Sequence, residues 1–154
     1  MHDILIKNVR PWGQGEPRNL AIEGGHFVEL GKSERAHKVL DAHGAMAIPS
    51  FVEPHIHLDK ALINRDVRAN VSGTLTEAIE IIWERKRAYT TNDVVSRASE
   101  VIELAIQNGT TRLRTHVDID NIGGLKPLAG VLAARERYKG LIDIQIVAFP
   151  QEGI

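Results

Sequence analysis

Two histidines two residues apart, His55 and His57, close an apolar run at Ala47-Ile48-Pro49-Ser50-Phe51-Val52. In an extended strand, residues i and i+2 project to the same face. Two neutral imidazoles set side by side can grip one divalent metal, with Zn²⁺ or Fe²⁺ the natural guests. The pair also reads as two polar residues at a strand end, and spacing alone does not choose between these readings. Two further chemistry-bearing ends follow. His116 and Asp118 close a β-rich stretch over 110–118, and Gln151 and Glu152 follow an apolar stretch over 142–149.

The elements that must position these ends can be read from period and punctuation. Residues 4–9, 19–22 and 26–30 read as short strands, with Gly24-Gly25 as a hairpin turn. Further extended pieces cover 39–42 and 45–47. The first 47 residues are therefore expected to form small antiparallel β structure, too little to bury a core alone. His2, His26, His37 and His43 lie here without a partner at ligand spacing, and exposed or locally bonded roles are expected for them. A buried strand over 47–56 is expected next, then a polar loop from Asn64 to Gly73. Thr74 stands three residues before Glu77, a capping-box spacing that opens a helix. Thr91-Asn92-Asp93 starts a second helix that stops at Asn108-Gly109. A strand over 110–118, a helix over 125–138 and a strand over 142–149 complete a βαβαβ order. That order implies a parallel sheet with right-handed crossovers. In parallel α/β folds, chemistry gathers at the carboxyl ends of the strands, which is where all three polar ends fall.

Composition excludes several classes. The 154 residues carry a net charge of −1, so no basic field exists to hold nucleic acid or an anionic membrane. No apolar run approaches the ~20 residues that span a bilayer. The polar start Met1-His2-Asp3 is not a signal peptide, and a cytoplasmic location is the default expectation. The absence of cysteine excludes disulfides and thiolate zinc sites, including the His/Cys/Cys deaminase design.

The histidine pair after a first α/β strand, preceded by a small β segment, resembles the amidohydrolase superfamily. The segments 51–59, Ser72-Gly73-Thr74-Leu75, Glu84-Arg85-Lys86, 114–118 and 146–154 are similar to the barrel-type cytosine deaminases. The resemblance runs from about residue 48 to residue 154 and fits the N-terminal strands too. It implies a partial (β/α)₈ (TIM-like) barrel, strands one to three, in residues 48–154, and part of a β-sandwich in residues 1–47. It implies His55 and His57 as ligands of one Zn²⁺ or Fe²⁺ ion. Gln151 would hydrogen-bond the substrate ring edge, since a carboxamide offers a donor and an acceptor together. Phe149 and Leu75 would line the ring pocket. His116 and Asp118 would stand behind the ligands and orient them. The departure is Asp59-Lys60-Ala61-Leu62: relatives acting on isocytosine or substituted triazines can carry a lysine at the position of Lys60.

The implied activity is metal-dependent hydrolytic deamination of a cytosine-like N-heterocycle with release of ammonia. Isocytosine, an alkylamino-triazine or a cyclic amide are alternative substrates, and a non-catalytic half-barrel assembly subunit is the alternative of another class. A whole barrel takes about 250 residues. The resemblance therefore implies that the remaining ligands and the proton shuttle lie beyond residue 154, and that this chain is a fragment, inactive alone. The rest of the barrel and a small heterocycle are the expected partners, with a homo-oligomer as the assembly.

Overall fold

A computed structural model describes residues 1–30 and 34–152. They fall into two compact units, Met1–Pro49 and Ser50–Ile154.

In the first unit, β1 (His2–Pro11) pairs antiparallel with β2 (Arg18–Glu23), which pairs antiparallel with β3 (His26–Val28). The expectation of a purely antiparallel unit fails on the other edge. There β4 (Ala36–Asp41) and β5 (Met46–Ala47) both pair parallel to β1. The turn at His43-Gly44 lets one strand serve two pieces in succession. His43 and Gly44 both hold positive φ (48° and 83°), and the Gly44 N–H returns to the Asn8 carbonyl at 2.7 Å. His2 is buried and meets Glu23 at 2.6 Å, a bonded role of the kind expected for it.

The second unit opens with β6 (Phe51–Ile56). The strand expected from residue 47 starts four residues later, because Ala47 belongs to β5 and Pro49 supplies no N–H for a ladder. The loop expected over 64–73 contains a short 3₁₀ turn, Ile63–Arg65. Helix α1 spans Leu75–Arg87, with the Thr74 hydroxyl accepting from the Glu77 N–H. The reciprocal half of the capping box is different from the expected one. The Glu77 carboxylate accepts the Ser72 N–H at 2.6 Å and an Arg68 guanidinium N–H at 2.6 Å, so it ties the preceding loop instead. Helix α2 (Thr91–Gln107) is capped by Thr90 and stops where Gly109 takes φ 86°. Strand β7 (Thr110–Asp118), helix α3 (Lys126–Arg137) and strand β8 (Asp143–Phe149) follow.

The sheet order is β6-β7-β8, all parallel. Along β7, Leu113, Thr115 and Val117 are buried while Arg112, Arg114 and His116 alternate to the other face, as a period of two requires. The buried face meets Val94, Ala98 and Ile102 of α2 and Val131 and Ala134 of α3. The 4-residue steps along α2 make one continuous stripe. The helices approach closely at Gly130: a Cβ there would lie 2.5 Å from the Val94 Cβ. Gly130→Ala therefore forces the helices apart and is expected to cost about 1–3 kcal/mol. Urea denaturation of the two proteins, compared at equal m-value, checks it.

Candidate active site

The carboxyl ends of the three parallel strands carry the histidine pair, His116 with Asp118, and Gln151 with Glu152. Strand β6 ends at Ile56, between the two histidines. Their rings still stand together, with centroids 5.4 Å apart. His116 stacks on His55 at 4.2 Å, with its ring inclined by 28°, and lies 5.8 Å from His57. The Phe149 ring, at the end of β8, is 5.7 Å from His57 and 6.1 Å from His116. The fold thus gathers three imidazoles and one aromatic ring from three strand ends.

Burial lowers the pKa of both His57 and His116 below the ordinary histidine value. The Lys60 charge adds to the effect at His57, and His55 adds to it at His116. These two imidazoles are neutral at pH 7, the form that ligates a metal. The Nδ1 atoms of His57 and His116 are buried and have no hydrogen-bond partner. Neutral imidazoles gathered at one rim suit a divalent ion, so the donors present fit the metal that the resemblance implies. Two histidines from one strand end leave a zinc site short of its usual three protein ligands.

Asp118 does not stand behind a histidine as expected. Its carboxylate accepts from Lys60 Nζ at 2.9 Å and from Lys86 Nζ at 2.8 Å. Lys86 is fully buried and also donates to Asp120 and, at 3.3 Å, to Glu152. Burial pulls the Lys86 pKa down, but the carboxylates of Asp118 and Asp120 overcome this and hold it above the ordinary lysine value. Among the described residues, Asp118, Asp120 and Glu152 form the one set of three close carboxylate ligands. The Lys86 ammonium already fills it.

Lys60 places its second hydrogen bond on Gln151, donating to Oε1 at 2.5 Å, and its Nζ lies 5.9 Å from the Phe149 ring centroid. Lysine has no acceptor, so the carboxamide must present its oxygen to Lys60 and its NH₂ elsewhere. One acceptor position of Gln151 is thus taken by Lys60, while its NH₂ stays available. Leu75 is 76% exposed and shares a cavity of about 200 Å³ with Lys60, Ile79, Ile82 and Gln151. A larger cavity, about 620 Å³, opens beside Ile119, Leu125, Ala148 and Pro150 and includes none of the histidines. The Gly153-Ile154 end of the motif lies outside the described residues.

A family model described as the amidohydrolase family matches residues 38–154. The chain belongs to the amidohydrolase family. It is 31% identical over 157 residues to the N-isopropylammelide isopropyl amidohydrolase of Pseudomonas sp. (strain ADP), covering 98% of this chain and 39% of that protein. Among solved structures it is similar to the 5-methylcytosine deaminase from Klebsiella pneumoniae liganded with 5-fluorocytosine. The identity is 38% and the TM-score 0.79, over 97% of this chain and 37% of that one. The N-isopropylammelide isopropylaminohydrolase from Burkholderia multivorans gives 36% identity and a TM-score of 0.80, over 100% and 39%. The chain thus spans about two fifths of the length of these amidohydrolase relatives. Among the described residues, no helix is long and apolar enough to cross a membrane.

Three residues at the site had no role in the sequence reading: Asp59, Lys86 and Asp120. Lys86 carried a usable signal. It falls four residues after Ile82 and three before Tyr89, on the apolar stripe of α1, and a lysine there needs carboxylates. Asp120 is separable from the rest of the network. Its Oδ1 accepts the Ile122 and Gly123 N–H groups, a turn that asparagine can keep, while Oδ2 faces Lys86. Burial raises the Asp120 pKa, but the Lys86 ammonium together with the Gly123 and Ile122 N–H groups outweighs it and the net shift is downward. A lowered carboxylate pKa stabilises the fold above the unfolded value near 4, and that stability is lost as pH falls through the folded value. Asp120→Asn is expected to lower stability at pH 7 by about 1–3 kcal/mol. The gap between the two proteins should close as pH drops below about 4. Urea midpoints at pH 7, 5 and 3 give the comparison.

Proposed function

We propose that the protein is a metal-dependent hydrolase that removes an exocyclic amino group from a cytosine-like N-heterocycle and releases ammonia. In this reading β6, β7 and β8 are the first three strands of a (β/α)₈ barrel in residues 48–154, and residues 1–47 are part of a β-sandwich. The single observation that carries it is the convergence at the ends of three parallel strands: three imidazoles, the Phe149 ring, and Lys60 on the Gln151 carboxamide.

His55 and His57 would hold one Zn²⁺ or Fe²⁺ ion, with His116 packed against His55. When bound, such an ion supplies Lewis-acid activation of the hydrolytic water. The chain's own groups handle the ring. Phe149 offers a flat apolar wall, and Leu75 lines the approach to Gln151. The Gln151 NH₂ donates to an acceptor on the ring edge, which a ring carbonyl or ring nitrogen supplies. Water adds to the ring carbon that bears the amine, and the C–N bond breaks. The nitrogen leaves as ammonia with one proton of the water, the other proton ends on the adjacent ring nitrogen, and the water's oxygen stays on the ring as the carbonyl.

A second reading changes only the leaving group, to an alkylamine, as the names of the Pseudomonas and Burkholderia relatives state for those proteins. The Lys60–Gln151 contact favours it, because it orients the Gln151 NH₂ away from the lysine, where it can donate to a ring rich in carbonyl oxygens.

The test uses the protein that carries this chain at its full length, loaded with Zn²⁺ or Fe²⁺. Cytosine, 5-methylcytosine, isocytosine and an alkylamino-oxotriazine are each assayed for ammonia and alkylamine. Release of either amine from one of these rings is the expected result. His55→Ala and His57→Ala should each lower metal content and cut the rate at least about 100-fold, the size that loss of an outer metal-site partner already reaches. Unchanged metal by elemental analysis would remove the ligand assignment. No turnover of any ring after metal reconstitution would favour the non-catalytic assembly subunit.

A further inference from the structure

Asp59 is fully buried, and nothing in the proposed reaction uses it. Its backbone is held on both sides. The Arg97 guanidinium donates to the Asp59 carbonyl at 2.9 Å and to the Ala61 carbonyl at 2.6 Å. The neighbouring Leu58 N–H donates to the Thr115 hydroxyl at 3.0 Å. The side chain is committed on one oxygen only: Oδ2 accepts the Asp118 N–H at 3.0 Å. Oδ1 is buried and has no partner. The His57 Nδ1, also buried and also without a partner, lies 4.0 Å from it.

Two orphaned atoms of complementary type thus face each other across a gap slightly too long for a hydrogen bond. A small turn of the His57 ring closes it. A metal-binding histidine almost always donates its other ring N–H to a carboxylate, carbonyl or water, which fixes the tautomer and leaves the remaining nitrogen for the metal. His57 has a carboxylate in that place. Among the described residues, His55 and His116 have none within ion-pair distance, so this arrangement marks out one imidazole of the three.

We propose that Asp59 is a positioning residue for His57. Its Oδ1 accepts the Nδ1–H, which holds the imidazole in the tautomer whose Nε2 lone pair is free for the metal. The inference rests on His57 being a ligand. It also predicts a property of the metal-free protein, and the two can be tested apart.

The experiment is long-range ¹H–¹⁵N NMR of the imidazoles in the metal-free chain at pH 7.5, with Zn²⁺ affinity by chelator competition on the same samples. The wild type should show neutral His57 protonated at Nδ1. In Asp59→Asn, the amide oxygen can keep the Asp118 N–H, which turns the NH₂ toward His57. The tautomer should then invert to Nε2–H, and Zn²⁺ affinity should fall about 10- to 100-fold. Wild-type His57 protonated at Nε2 overturns the proposal whether or not the variant folds. So does a variant, folded by circular dichroism, that keeps both tautomer and affinity. A wild type that shows the Nδ1–H tautomer, inverted in the variant, but binds no Zn²⁺ sustains the positioning role and removes the metal reading instead.

Discussion

The Asp118 carboxylate stands between two ammonium groups, Lys60 at 2.9 Å and Lys86 at 2.8 Å, and its own backbone N–H is bonded to Asp59. Removing charges from water is costly, and their attraction compensates only when every lone pair and proton finds a partner. That condition ties four pieces of chain together. Lys86 comes from α1, Asp118 ends β7, Asp120 sits in the loop before α3, and Glu152 follows β8. Through Lys60, the same carboxylate reaches the turn after β6 and the Gln151 side chain. The ends of the three strands are held in register by this network, while the apolar core below holds the helices to the sheet.

The frame was legible because it depends on local rules. The β7 stretch alternates its more exposed and its buried side chains from Arg112 to Val117, and the α2 stripe repeats every three to four residues. The stops at Gly109 and Gly140 are positive-φ positions, which glycine takes most easily. Edges were less legible. Whether β4 and β5 pair parallel or antiparallel to β1 depends on where the chain turns, and the turn at His43 uses a non-glycine residue at φ 48°. No period in the sequence reports that. The reciprocal bond of Glu77 was missed for a similar reason. The loop before α1 offers it an arginine and a free N–H, and both outcompete the cap residue's own amide.

At the rim, residue type and spacing pointed to the histidine pair, His116 and Gln151, because each falls at or just past a strand end, and the family resemblance added Phe149. They did not find the roles of Lys60, Lys86 or Asp59, because those roles exist only between elements distant in sequence. Lys86 and Asp118 are 32 residues apart, and Lys60 and Gln151 are 91 apart. A lysine on an apolar stripe announces that a carboxylate is needed, but not which one. The role expected of Asp118 also illustrates the limit. It reads as a carboxylate standing behind the metal-binding histidines, yet lysine claims both its oxygens.

The orientation of Gln151 follows from that chain of charge, and it narrows what the rim can recognise. Asp118 takes one proton of the Lys60 ammonium and Gln151 takes another, so the lysine cannot turn away without leaving a buried carboxylate short of a partner. Gln151 is therefore held oxygen-first toward Lys60, with its NH₂ directed away from the lysine. A carboxamide held in one orientation discriminates between heterocycles more sharply than a free one. A free carboxamide can flip to suit a donor or an acceptor, whereas a held one leaves a mismatched donor unpaired, at about 1–3 kcal/mol when the site is closed. In the proposed function, Asp118, a residue with no direct contact to a ring, bears on substrate choice through the lysine it holds in place.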